Sequence, residues 1–194
     1  MAQKMARWRA KSLVKNKRQA TKTVRIIAGE FKGFRLETPS ADVAHVMGER
    51  ERGAVFNALF DVSGLRVLDC FAGSGALGFE ALSRGALVAD FVENNKRVRA
   101  IIAANASRLD VESRVGTLIG LPVEAGQYDL IFSDAPYDNP QWELVATLAG
   151  LLDKGGRLVI SHAKTTPIPD VVVQGLKKTY SKTFAGAQLD IFTK

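Results

Sequence analysis

Hydrophobic and polar positions along this chain follow two rhythms, and the change falls near residue 65. Before it the apolar runs are short. VRIIAG and EFKGFRLETP form two extended runs around Ala28-Gly29-Glu30, which predicts a β-hairpin. Residues 40–48 carry no strong period and read as a loop. ERERGAVFNALF, 49–60, has helical spacing, with Val55, Phe56, Leu59 and Phe60 predicted to face inward.

From Leu65 onward, strand-like runs alternate with helical ones. RVLDCF (66–71), LVADFVE (87–93), RVGTLIG, YDLIFSD (128–134) and GRLVISH (156–162) predict strands. ALGFEALSRG, ending at Gly85, then KRVRAIIAANASRL and PQWELVATLAGLL (140–152) predict helices between them. This alternation predicts an α/β fold, a parallel sheet covered by helices on both faces. The C-terminal stretch breaks the rhythm. KKTYSKTFA and AQLDIFTK, separated by Gly186, predict an antiparallel hairpin at the sheet edge.

Composition refines this picture at its start. Residues 1–25 carry nine basic groups and no acid, while the rest carries 18 basic and 20 acidic residues. A near-neutral domain therefore wears a cationic arm. Such an arm suits a polyanion, because each neutralised phosphate releases counterions. A solubilising tail and an organelle-targeting peptide are the competing readings. The targeting reading is weakened by scarce serine and by the lack of an apolar signal core. The lone Cys70 excludes an intrachain disulfide and fits a reducing compartment. It reads as a small buried strand residue rather than a nucleophile. No apolar run approaches the roughly 18 residues a membrane span needs.

The candidate chemistry begins at VLDCFAGSGALG, 67–78. Gly73, Gly75 and Gly78 spell the G-x-G-x-x-G of a dinucleotide turn, and Glu93 lies twenty residues past Gly73, where a ribose-binding acid belongs. Asp69, four residues before Gly73, does not suit a pyrophosphate. It suits a cationic group, such as the ammonium of S-adenosylmethionine, which also offers a ribose to Glu93. A purely structural loop and a dinucleotide site remain as alternatives. The second candidate is Asp134-Ala135-Pro136-Tyr137, closing what would be the strand beside the one ending in Asp69. Ligands of open α/β sheets bind off the carboxyl ends of such neighbouring strands. An exocyclic amine on a base is a poor nucleophile, because its lone pair is delocalised into the ring. The Asp134 carboxylate and the Ala135 carbonyl can each accept one of its hydrogens, leaving the lone pair free for an in-line displacement. Pro136 would fix the turn and Tyr137 would stack on a base taken out of its helix. The plainer reading is an Asp-Pro turn with Tyr137 as packing.

RIIAG followed by KG, AVFNALF, LDCFAGSGALGFEALSRGA and the DPPY-type turn together resemble the 16S rRNA guanine-N2 methyltransferases of the RsmD family. The resemblance covers about residues 24–193 and is most specific from Leu68 to Ala86. It implies a class I S-adenosylmethionine-dependent methyltransferase fold, Rossmann-like with a seven-stranded sheet and an N-terminal β-hairpin extension. It implies S-adenosyl-L-methionine as cofactor and a guanine of small-subunit rRNA, free or in an assembly particle, as acceptor. By matching positions it assigns Asp69, Phe71, Ala72, Gly73, Gly75 and Glu93 to the cofactor. Asp134, Ala135, Pro136 and Tyr137 fall to the target amine, and Arg25, Lys32, Gly33, Arg50 and Arg52 to the RNA side; Arg35, a further hairpin charge, and His45, in the loop beside the expected cleft, are candidate RNA contacts by their place in the sequence. Three positions depart from the pattern. Ala135 replaces the first proline of DPPY, keeping its carbonyl. His45-Val46-Met47 replaces an R-P-T loop. After the third strand Gly120-Leu121-Pro122-Val123 lacks the usual adenine-edge acid, with only Glu124 near.

The expected organisation is a basic arm over 1–23, an RNA-contacting hairpin and helix over 24–60, and the methyltransferase domain over 61–194. A cytoplasmic, monomeric protein without a metal site is expected. His162 is expected to be a structural hydrogen-bonding residue. Two other functions stand beside the main one: an RNA-binding ribosome-assembly factor without catalysis, and an amino-methyltransferase of DNA adenine or a protein glutamine.

Overall fold

The computed structural model describes residues 23–40, 47–122, 124 and 127–194. The basic arm before Thr23, His45 and Val46, and Val123 lie outside the described residues. No helix among them is long and apolar enough to cross a membrane.

The N-terminal hairpin forms from β1 (Thr23–Arg25) and β2 (Arg35–Glu37), paired antiparallel with Val24 opposite Leu36. Its turn is wider than the sequence suggests. Ile26 and Gly33 extend the ladder, and the reversal closes with Lys32 N–H donating to Gly29 O at 3.2 Å. Helix α1 (Glu49–Leu59) follows, burying Val55, Phe56 and Leu59 as its period predicts. Phe60 departs from that prediction and is 93% exposed. The helix stops one residue earlier than its apolar pattern. Phe60 takes φ 64°, Ser63 N–H donates to Asp61 Oδ1 at 2.8 Å, and Gly64 turns left-handed. This Asx turn redirects the chain and points the ring outward.

Then come β3 (Arg66–Cys70), α2 (Ala76–Ser83), β4 (Val88–Val92), α3 (Lys96–Arg108), β5 (Val115–Leu118) and β6 (Tyr128–Ser133). The chain continues through α4 (Trp142–Leu151), the long β7 (Leu152–Ala163), β8 (Lys177–Thr183) and β9 (Ala187–Thr193). Asn95 caps α3, its Oδ1 accepting from Arg97 N–H at 2.9 Å, which explains a helix starting at Lys96. The sheet has seven strands in the order β5-β4-β3-β6-β7-β9-β8. The first five run parallel, and β9 enters antiparallel between β7 and β8 as the predicted edge hairpin.

Alternate strand residues feed two cores. Val67, Leu130, Phe132, Val159 and Ile191 pack on the face carrying α1, α2 and α3. Leu68, Ile131, Ile160 and Phe192 pack on the face carrying α4. Ile26, Leu36 and Phe56 belong to the first core together with Val67. The boundary expected between residues 60 and 61 is therefore not a boundary of packing.

The outer end of α2 explains why. Glu80 is fully buried, and its carboxylate accepts from Ile27 N–H at 2.8 Å, Ala28 N–H at 3.1 Å and Arg84 Nε at 2.9 Å. Ser83 Oγ accepts from Phe31 N–H and donates to Ala28 O, and Asn105 exchanges hydrogen bonds with both backbone groups of Glu37. The hairpin's open amides are thus capped from the body of the domain, which satisfies groups that would be costly to bury unpaired.

Candidate functional site

β3 and β6 are hydrogen-bonded neighbours, with Cys70 opposite Ser133, so the glycine turn and the DAPY turn open at one end of the sheet. The turn leaving β3 is tightly wound. Phe71 takes φ 59°, Gly73 φ 52° and Gly75 φ 76°. The positive φ at Phe71 costs about 1–2 kcal/mol in a residue with a Cβ, a strain typical of ligand sites. Gly78 serves packing. A Cβ there would collide with the Phe91 ring, so this glycine lets α2 lie against β4.

Two adjoining cavities meet at Asp134 and Pro136. The first, about 350 Å³, lies between the glycine turn, the end of β4, the residues after β5 and the start of α4. Phe71, Gly73 and Glu93 line it, as do Asp134, Leu121 and Leu144. The second, about 310 Å³, is lined by residues 134–138.

The cofactor-side expectations divide on this geometry. Phe71, Gly73 and Glu93 reach the first cavity. Asp69, Ala72 and Gly75 do not line it. Asp69 is 2% exposed, and its Oδ2 accepts from Gly78 N–H at 2.9 Å. It fastens α2 to β3. Glu93 spans the turn. Its Oε2 accepts from Gly73 N–H at 3.2 Å and its Oε1 from Asn95 N–H at 2.7 Å. Arg99 holds the Glu93 and Asn94 carbonyls, each at 2.8 Å.

The charge of this site is one-sided. Among the described residues, the first cavity's lining has two acids, Glu93 and Asp134, and no lysine, arginine or histidine. Burial pushes the Asp69 carboxyl well above its ordinary range; the Gly78 N–H opposes this, and the nearby Asp134 and Glu93 charges add to it. Burial, and the Asp69 charge beside it, likewise push the Cys70 thiol up, so it stays protonated rather than becoming a nucleophile. Two lining acids, with no lysine, arginine or histidine beside them among the described residues, favour a ligand that is positive or neutral where it meets them. A pyrophosphate would meet the opposite of what it needs. The turn's amides at Gly73 and Gly78 already point at carboxylates.

Asp134 closes β6 and lines both cavities. Ala135 is buried and Pro136 exposed. Tyr137 is half-buried, its Oη 2.7 Å from Ser161 Oγ on β7. Burial raises its phenol; the Ser161 hydrogen bond works against this, and the charges of Asp134 and Glu51 reinforce it. Glu51 lies in the first turn of α1.

On the expected RNA side, Arg25, Lys32, Arg35 and Arg50 are exposed. Arg25 is paired with Glu49 at 2.7 Å. Arg52 is corrected: it is 1% exposed, and its guanidinium donates to Met47 O at 2.6 Å and Arg25 O at 2.7 Å. It ties Met47, just before α1, to Arg25 of the hairpin and faces no solvent. Glu124 is bonded by Gln127 Nε2 and does not line the first cavity; Gly120 and Leu121 do. His162 is the structural residue expected. Its Nδ1 lies 3.0 Å from Ala163 O and 2.8 Å from Thr166 O, and its Nε2 lies 3.4 Å from Asp190. Gln141 and Leu144, at the start of α4, escaped the sequence reading. Gln141 takes φ 49°, which periodicity cannot reveal.

The family model described as conserved hypothetical protein 95 matches residues 24–193. A Haemophilus influenzae protein named ribosomal RNA small subunit methyltransferase D is 34% identical over 123 residues, covering 59% of this chain and 64% of the relative. The match thus spans less than two thirds of that relative's length. The solved structure of yhhF from Escherichia coli superposes with a TM-score of 0.78 at 25% identity, covering 89% of this chain and 98% of the other. An S-adenosylmethionine dependent methyltransferase from Mesorhizobium loti shares the fold, with a TM-score of 0.60 at 15% identity over 73% of this chain and 96% of its own. The seven-stranded methyltransferase fold implied by the sequence is the fold of this chain.

Proposed function

The chain belongs to the family described as conserved hypothetical protein 95, the RsmD family, and from that premise we propose that it is an S-adenosylmethionine-dependent methyltransferase acting on the N2 amine of a guanine in small-subunit rRNA. The observation that carries the cofactor is the first cavity's lining, which offers two acids and no cation among the described residues. That donor set suits a sulfonium and ammonium ligand and opposes a dinucleotide. When bound, the cofactor supplies an electrophilic methyl group.

The protein's own groups do the rest. Glu93 accepts from the ribose hydroxyls, its oxygens keeping lone pairs beyond those given to Gly73 and Asn95. The backbone at Phe71 and Gly73 borders the cofactor's amino-acid end. Leu121 and Leu144 give apolar walls, and backbone groups near Gly120 read the adenine edge in place of an acid. At the second cavity the Asp134 carboxylate and the Ala135 carbonyl each accept one hydrogen of the guanine amine. This would leave the nitrogen lone pair free for methylation, and the proton the nitrogen then gives up would pass to the Asp134 carboxylate and on to solvent, so the contribution is mainly positioning and electrostatic. Tyr137 stacks on the flipped base. The exposed Arg25, Lys32, Arg35 and Arg50 contact the surrounding RNA.

The homologues' names speak of rRNA, and the guanine N2 atom is our finer assignment. Nucleoside mass spectrometry of 16S rRNA from cells with and without the gene tests it. Loss of one N2-methylguanosine per 16S rRNA in the deletion strain is expected. An unchanged nucleoside profile contradicts the assignment.

A further inference from the structure

We infer that Ser161 is a positioning residue of the acceptor pocket, acting through the Tyr137 hydroxyl. The inference rests on the function proposed above and adds a residue to it.

Tyr137 walls the second cavity with Asp134, Ala135, Pro136 and Asp138. A tyrosine on an open turn has two free side-chain torsions, and a stacking wall must be held much more tightly than that. Here its far end is tethered, since Tyr137 Oη and Ser161 Oγ lie 2.7 Å apart. The tether point is itself fixed. Ser161 is 6% exposed, and β7 lies inside the sheet, with Ser161 opposite Leu189 of β9 and Ile160 opposite Ser133 of β6. The next residue, His162, is buried and anchors the strand end to Ala163 O, Thr166 O and the Asp190 carboxylate. Pro136 restricts the near end of the turn and Ser161 holds the far end. The ring is therefore set before the base arrives. Setting it in advance removes part of the ordering cost of binding.

Steady-state kinetics on rRNA, with cofactor affinity measured by calorimetry, tests this. Ser161→Ala should raise the KM for RNA about three- to tenfold, leave kcat within about twofold and leave cofactor affinity unchanged. Tyr137→Phe should show the same rise in KM, and adding Ser161→Ala to it should change nothing further. Ser161→Thr, which keeps a hydroxyl, should restore the wild-type KM. In the free protein, amides of 134–139 should exchange faster in Ser161→Ala than in wild type. An unchanged KM in Ser161→Ala, or an equal second loss on top of Tyr137→Phe, overturns the inference while the proposed function stands. If the wild type transfers no methyl group to RNA, the functional reading fails instead. The exchange rates at 134–139 then decide the tether, and equal rates overturn it.

Discussion

Glu93 and Glu80 perform the same local act at two ends of one unit. Each carboxylate accepts backbone N–H groups from another segment. Glu93 takes Gly73 and Asn95, and Glu80 takes Ile27 and Ala28. They differ in what else can reach them. Glu80 is fully buried, with Arg84 completing its shell, and has nothing left to offer a ligand. Glu93 lines a cavity and keeps acceptor capacity facing it. A capped amide is architecture when the carboxylate is sealed and a candidate site when it stays open. The comparison explains why an acid stands inside an otherwise apolar helix, ALGFEALS: its place is to hold the hairpin.

The largest expected effect lies on the open side. Asp134→Ala should lower methyl transfer by about a thousandfold or more while cofactor affinity stays within a few-fold. Full activity in this variant would remove the amine-holding role. Next comes the sealed side. Glu80→Gln leaves either Ile27 N–H, or both Ala28 N–H and Arg84, without an acceptor. It should cost about 2–4 kcal/mol in denaturant unfolding, with cofactor affinity unchanged in the folded fraction. A stability equal to wild type would show that the hairpin is not fastened there.

Glu93→Ala should do the reverse. Losing a charged acceptor for the ribose should weaken the cofactor about 10- to 100-fold in calorimetry while stability shifts by about 1 kcal/mol or less. If stability falls as far as in Glu80→Gln, the two carboxylates are alike after all.

Asp190 supplies a smaller, pH-dependent version of the sealed case. Burial alone would raise it, but hydrogen bonds from His162, Lys178, Ser181 and Gln188 hold it well below the usual carboxylate range. Burial alone would lower His162; Asp190 and the Thr166 and Ala163 carbonyls hold it above its ordinary 6.5. A depressed acid stabilises above its unfolded pKa and loses that contribution as pH falls through the folded one. A raised histidine stabilises below its unfolded pKa and loses that contribution as pH rises through the folded one. The pair therefore contributes fully between about pH 4 and 6.5. The Tm difference between wild type and Asp190→Asn should be greatest in that window and shrink on both sides. A difference independent of pH would contradict the ionised pair.

The sequence carried the sheet well because its strands are buried runs separated by clear turns, and the Asp69 to Gly78 stretch lies where strand-to-helix logic puts it. It misled where a single backbone torsion decides a side chain's direction. Phe60 has a core residue's spacing, yet its left-handed φ sends it outward. Arg52 has the type of a phosphate contact, yet two carbonyls hold it inside. Asp69 was legible as unsuited to pyrophosphate, but not as the fastener of α2, because Gly78 N–H comes within reach only once the turn is wound. Gln141 and Leu144 join the cavity through the placement of α4, which no local pattern encodes.

The central claim is that this glycine turn serves a cationic, phosphate-free nucleoside ligand. Isothermal calorimetry of the purified protein with S-adenosylmethionine and, separately, with NAD and NADP tests it directly. One saturable site for S-adenosylmethionine, weakened by Glu93→Ala, and no binding of either dinucleotide are expected. Saturable dinucleotide binding with no signal from S-adenosylmethionine would contradict it.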